Sequence, residues 1–266
     1  MNHVNDNISR TETEKNMWNE GLDRSKVDPV LGYMSGGRSG KRLQNRVRSI
    51  LSDYVGKDIL ELGSTTWDAW IDLENSPPKK LVCINISETE LEKGIKSAKA
   101  KDSSRHCEHS FEVMDAHRLG FDNESFDVVF GLGLLHHLDL EVAVKEIHRV
   151  LKDDGKLIFL EPQAGNILGK IFRRFTPNAR TPDEAPLGKK EMKLISSFFV
   201  LDNSYYEYIT VPVSIVSKVI FSSPNNFLMN LSDRLDCWLE KRFGRTRLMS
   251  RYRKVLICGR KRISNI

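Results

Sequence analysis

The chain has 266 residues, 39% of them hydrophobic and 29% charged, which is enough for one substantial globular domain and excludes a disordered or fibrous protein. Forty-one Lys/Arg against 36 Asp/Glu leave a formal charge of +5, too small an excess for a protein coated in nucleic acid. The polar opening MNHVNDNISRTETEKN lacks the apolar core of a signal peptide, and no apolar run reaches the roughly 18 residues of a membrane span.

Residues 1–15 have no apolar periodicity and are expected to be disordered. Residues 16–39 hold Trp18, Leu22, Val27, Leu31 and Tyr33 before Gly36-Gly37, and are expected to form a flap. A helix is predicted from about Gly40 to Tyr54, with Leu43, Val47, Ile50 and Leu51 on one face and Lys41, Arg42, Arg46 and Arg48 on the others.

Strand–helix units follow. Apolar runs predict strands at 58–62, 80–86 (KLVCINI), 110–114 (SFEVM), 126–131 (FDVVFG) and 156–161 (KLIFLE). Ser87 and Glu90 form a capping-box pattern: the hydroxyl reaches the N–H of Glu90, and the carboxylate reaches back to the N–H of Ser87. It opens a helix carrying Leu91, Ile95 and Ala98 on one face. A second helix, 139–151, sets Leu140, Val144, Ile147 and Leu151 at steps of three or four. Such alternation builds a parallel sheet with helices on both faces. Beyond it lie a loop rich in Arg, Pro and Gly (163–187), a helix (188–199), a β-rich run (201–210), an aromatic and aliphatic insertion, and a closing strand, KVLICGRKR. Segments 163–187 and 205–245 are expected to cover the substrate side as lids of a single domain spanning 16–266.

Four scattered cysteines without a CxxC pair fit a reducing compartment, hence the cytoplasm. The cluster His106-Cys107-Glu108-His109 has metal-ligand types but no second ligand pair at usable spacing, so no metal site is expected. Between Glu240 and Arg262 stand ten Lys/Arg and one acid, a basic stretch that reads either as a solvated face beside the last strand or as a surface for anionic lipid headgroups or a lipid-linked substrate, for other anionic substrates, or for RNA.

The stretch ILELGSTTWDAW (59–70) begins like the cofactor turn of an α/β enzyme and then lacks the usual later glycines. Together with INISETELEKG (84–94), VMDAHRLGFDNESFDVVF (113–130) and LGLLHHLDLEVAVKEIHRVLKDDGKLIFLEP (132–162), it resembles the class I S-adenosylmethionine-dependent methyltransferases, above all the group acting on small molecules. The likeness covers about residues 40–165 and the last strand in outline. It implies a doubly wound, mostly parallel seven-stranded α/β sheet of Rossmann-like type, with an N-terminal flap and an insertion before the last strand. It implies S-adenosylmethionine as cofactor and a small-molecule or glycan-intermediate acceptor, methylated at oxygen before nitrogen or carbon, with no DNA partner; the alternatives are an RNA or lipid-linked substrate and a methyltransferase-like binding protein without catalysis.

The resemblance places the cofactor against Glu61, Gly63, Ser64 and Thr65 after the first strand, Asn85 and Ile86 after the second, Asp115 and Ala116 after the third, and Leu132 and Gly133 after the fourth. Tyr33 and Arg38 are expected to cover it from the flap. Two residues depart from the pattern. Thr65 stands where a glycine is usual, and Asn85 where an acid grips the ribose; an amide offers one accepting oxygen where a carboxylate offers two. Trp67 or Trp70 is expected to pack near the turn. His136, His137 and Glu161 are the candidates for chemistry, with His136 the better placed base and at most one of the two histidines facing the pocket.

Overall fold

The computed structural model describes residues 2–66, 77–101, 107–244 and 246–262. Trp67, Trp70 and His106 lie outside the described residues.

Seven strands form one sheet in the order β3-β2-β1-β4-β5-β7-β6. They are β1 (Asp58–Leu62), β2 (Lys80–Asn85), β3 (Glu108–Val113), β4 (Phe126–Leu132), β5 (Leu151–Pro162), β6 (Phe199–Tyr206) and β7 (Lys254–Lys261). The first five are parallel, and β7 runs antiparallel between β5 and β6. The order reverses between β1 and β4, and a sheet of this kind opens a crevice outside the carboxyl ends at that point.

Alternation along the strands explains the two faces. Leu60, Leu62, Val82, Ile84, Val129 and Phe159 point to a core shared with Val144 and Ile147 of α5 (Leu140–Val150) and Ile195 of α7 (Lys189–Phe198). Ile59, Leu81, Cys83, Val128, Phe130 and Ile158 point to the other face, where Leu43, Val47 and Ile50 of α3 (Arg38–Leu51) and Ala98 of α4 (Glu88–Lys101) close the second core. Strands buried on both faces must be apolar throughout, which is why β1, β2 and β4 read as continuous apolar runs.

The N-terminus differs from expectation. Residues expected to be disordered belong to an α-helix, α1 (Asn2–Glu20). Its weak periodicity is offset by tertiary contacts: Lys15 reaches Glu88, Asn19 accepts from the Ser87 hydroxyl at 2.7 Å, and Trp18 packs edge-on against His137. The Ser87 hydroxyl also accepts the N–H of Glu90, the expected half of the capping box. The other half is replaced: Ser87 N donates to Asn85 Oδ1, and Glu90 pairs with Lys93.

The segment expected to form a flap divides its contacts: Trp18, Leu22, Arg24, Val27 and Leu31 line the cavity described below, while its helical part also reaches the C-terminal helices. Residues 28–36 form α2 (Asp28–Gly36), which packs on α8 (Thr210–Ile220). α8 and α9 (Phe227–Phe243) form a helical hairpin beside β6. Pro212 sits in the first turn of α8, where its missing N–H costs nothing. The remaining helix, α6 (Ile167–Phe175), follows β5 and starts at an Asn166 cap that accepts the N–H of Gly169 at 2.7 Å.

Candidate active site

A cavity of about 730 Å³ lies at the carboxyl ends of the parallel strands. Gly63 and Thr65 border it after β1, Asn85 and Ile86 after β2, Asp115 and Ala116 after β3, and Leu132 and Gly133 after β4. Two glycines make room for it. Gly63 has φ +72°, and a side chain there would also meet Leu134 Cδ1 at 3.1 Å; Gly133 has φ +69°. The glycine that remains in the first motif is thus the one at which the chain turns. Thr65 follows the turn, outside the left-handed region.

Asn85 does more for the protein than for a ligand. Its Nδ2 donates to the Ser64 carbonyl at 2.9 Å, and its Oδ1 accepts from Ser87 N at 2.9 Å. The amide therefore ties the first turn to the start of α4. A carboxylate could not donate the first of these bonds.

Asp115 accepts from the backbone N–H of His117 at 2.9 Å and pairs with its Nδ1 at 2.7 Å. Burial works against the charge, but these bonds outweigh it and hold the carboxyl below its ordinary value, so it stays ionised. His117 Nε2 in turn accepts Asp139 N at 2.8 Å, which fixes Nδ1 as the protonated nitrogen. Asp139 is the N-cap of α5, so one imidazole joins the ends of β3 and the beginning of α5.

Glu161, at the end of β5, is fully buried and does not border the cavity. Its Oε1 accepts the N–H groups of Leu134 and Leu135 at 2.9 and 2.8 Å, and its Oε2 meets His136 Nδ1 at 2.7 Å. It acts through its neighbours: it holds the turn after β4 and orients the imidazole. His136 Nε2 is left on the cavity side, 3.9 Å from Glu184 Oε1.

Both histidines border the cavity, contrary to the expectation that one would turn away. The 3-10 turn Leu135–His137 brings their rings to 4.2 Å, centroid to centroid. His137 Nδ1 lies 3.1 Å from Thr181 Oγ1 and 3.4 Å from Glu14 Oε2. Glu14 also accepts from Trp18 Nε1 at 3.1 Å. Burial raises the Glu14 pKa, yet the bond to His137 and its neighbours prevail and the carboxyl falls below its ordinary value.

Four expected contacts lie elsewhere. Tyr33 bonds Ser217 Oγ at 2.9 Å, and Arg38 pairs with Asp233 at 3.2 Å, both in the packing of α2 and α3 on the hairpin. Glu61 is buried beneath the turn, where it accepts from Cys83 Sγ at 3.4 Å. Ser64 is buried with its N–H on the Ile84 carbonyl. Of the two segments expected as lids, 163–187 walls the cavity, together with α1 and with Leu22, Arg24, Val27 and Leu31 of the flap, whereas the described residues of 205–245 supply no lining residue.

Those walls hold what sequence reasoning missed. Thr11, Glu14 and Trp18 face the cavity from α1, at the helical steps of three and four that could have revealed them. Lys170, Arg173, Arg180 and Glu184 face it from the other side. Arg173 and Arg180 approach Glu184 Oε1 at 2.5 and 3.5 Å. His136, His137 and Glu184 bring ligand-type atoms within 4.8 Å of one another, but the two guanidiniums already neutralise the carboxylate.

Residues 60–159 match the family described as "methyltransferase domain". A demethylmenaquinone methyltransferase of Lactococcus lactis subsp. lactis is 37% identical over 114 residues, 42% of this chain and 44% of that protein. The 27-O-demethylrifamycin SV methyltransferase of Amycolatopsis mediterranei is 28% identical over 142 residues, 53% of this chain and 51% of that protein. The chain spans about half the length of the curated relatives it matches. Among solved structures, the geranyl diphosphate C-methyltransferase of Streptomyces coelicolor A3(2) has a TM-score of 0.55 at 13% identity, over 84% of this chain and 80% of that one. Residues 60–159 therefore match a methyltransferase domain, and the seven-stranded sheet around them has the fold of the solved methyltransferase it resembles.

Proposed function

We propose that the protein methylates a small molecule with S-adenosylmethionine as donor. One observation carries this reading: Gly63, Asn85-Ile86, Asp115-Ala116 and Gly133 converge on one cavity at the switch point of the sheet. The residues there fit the cofactor. Ile86, Met114 and Ala116 offer apolar surface for an adenine, Asp115 is an ionised acceptor for its amine, and Gly63 lets the chain pass close. The ribose finds less than usual, because the Asn85 amide is committed to Ser64 and Ser87. When bound, the cofactor supplies a methyl group on a sulfonium, already activated for in-line displacement.

The protein's part is alignment and proton removal. We propose an oxygen acceptor, because His136 is built as a base: Glu161 fixes Nδ1 and directs Nε2 to the cavity. The acceptor O–H bond breaks, its proton passes to Nε2, and the buried carboxylate stabilises the imidazolium through Nδ1. The freed oxygen would then bond the methyl carbon as the carbon–sulfur bond breaks, its electron pair returning to the sulfonium to leave a neutral thioether. Relatives named for carbon and for oxygen acceptors both occur, so the support for oxygen comes from the residue set rather than from the kinship.

Lys170, Arg173 and Arg180 share the acceptor wall with Glu184. Burial first, and then neighbouring Arg173, lower the Arg180 pKa against the opposing pull of Glu184, and three cations share that one carboxylate on this wall. An acceptor bearing a carboxylate or phosphate would complement it. Calorimetry with S-adenosylmethionine and S-adenosylhomocysteine tests the cofactor; a pure, folded protein that binds neither overturns the reading. Methyl incorporation across phenols, hydroxy acids and phosphorylated alcohols then tests the acceptor.

A further inference from the structure

The outer face of the α8–α9 hairpin has no part in the cavity, yet it is the most apolar surface described. On α8, Ile215, Val216, Val219 and Ile220 are exposed, Val219 to 86%. On α9, Phe227, Leu231, Leu235 and Trp238 are exposed, Phe227 to 66% and Trp238 to 59%. Steps of three and four place each set in one stripe of its helix. Exposed side chains of this size gathered on two packed helices mark an interaction surface.

The charges on the hairpin say what the surface meets. α8 contains no acid. The three acids of α9 all turn inward: Asp233 pairs with Arg38 and Arg42, Asp236 accepts backbone N–H groups, and Glu240 accepts from Tyr205 N. The basic residues do the opposite. Arg234, Lys241 and Arg242 are exposed beside the apolar stripe of α9, and Lys218 is half-buried on α8. The outward face therefore offers apolar groups and cations without a single exposed acid. A second copy would set those cations against their own kind across a two-fold contact. An anionic bilayer complements both features, taking the apolar stripes below the headgroups and the cations among them.

We propose that the α8–α9 face docks the protein on an anionic lipid surface. It does so as an interfacial element, since no described helix is long and apolar enough to cross a membrane. This inference is independent of the methyltransferase reading, because none of these residues borders the cavity.

Cosedimentation of the full chain with vesicles of phosphatidylcholine alone, and with about one third phosphatidylglycerol, tests it. Anionic vesicles are expected to bind at least about tenfold more tightly, with a marked loss as salt is raised. Val219→Asp and the pair Lys241→Glu/Arg242→Glu should each lower that partition about tenfold or more, while the thermal midpoint stays unchanged. Equal or absent binding to the two vesicles overturns the proposal, as does binding that survives both variants. A dimer by light scattering that Val219→Asp dissociates would overturn it in favour of self-association.

Discussion

Glu161 Oε2 lies 2.7 Å from His136 Nδ1, while the same carboxylate's other oxygen takes two backbone N–H groups from the turn that carries the histidine. One buried acid thus sets both the position and the orientation of the imidazole. His136→Ala is expected to lower kcat by about 10²–10⁴-fold with cofactor affinity retained. Glu161→Gln should lower it about as far, because an amide N–H set against Nδ1 favours the tautomer protonated at Nε2 and the imidazolium loses its counter-charge. Steady-state kinetics beside calorimetry separates turnover from cofactor affinity.

Restoring the family's acid at position 85 is expected to harm rather than help. In Asn85→Asp the donor to the Ser64 carbonyl is lost and a carboxylate faces that oxygen. A loss of about 1–3 kcal/mol in stability follows, with no tightening of S-adenosylmethionine. A melting curve and a titration decide; a tighter complex would show that the amide is a defect in ribose binding and nothing more.

Docking of α1 should depend on acid pH. The Glu14 carboxyl lies below its ordinary value of 4.5 in the folded protein. A depressed carboxyl contributes stability above the unfolded value that is lost as pH falls through the folded one. Protection factors along 11–20, referred to the intrinsic exchange rate at each pH, should therefore be steady from neutral pH to about 5 and then fall below 4.5. Glu14→Gln should exchange faster at neutral pH and show no such step.

Asp236 accepts from Tyr208 N, Ile209 N and Thr210 N at 3.1, 2.7 and 3.1 Å, so it caps α8 from α9. Asp236→Ala should cost about 2–4 kcal/mol by leaving buried N–H groups without an acceptor, read as a lowered urea midpoint. An unchanged midpoint would mean that water replaces the cap.

The parallel sheet was legible because its strands are buried on both faces, so their apolar runs stand out from amphipathic α3 and α5. Gly63, Asp115 and Gly133 were legible as residues at strand ends. Other parts depend on partners distant in sequence. α1 is polar enough to read as disordered, and the residues that hold it, among them Ser87, Glu88, Asp115, His137 and Thr181, are all far away in sequence. Tyr33 and Arg38 had the chemistry of cofactor contacts, but Ser217 and Asp233, nearly two hundred residues later, claim them. Nothing local distinguishes a tyrosine that covers a ligand from one that fastens two helices.

The tie between hairpin and sheet has a mechanical consequence. The Tyr252 hydroxyl donates to the Asp236 carbonyl at 2.8 Å, so the residue whose carboxylate begins α8 is also anchored just ahead of β7. β7 pairs with β5, and Val255 stands opposite Glu161 in that register. A force applied to the hairpin is thus delivered, through one phenol and one strand, to the carboxylate that aims His136. Hairpin residues that border no part of the cavity thus have a short covalent and hydrogen-bonded route to the imidazole, which makes hairpin substitutions a means of tuning turnover without touching the cavity.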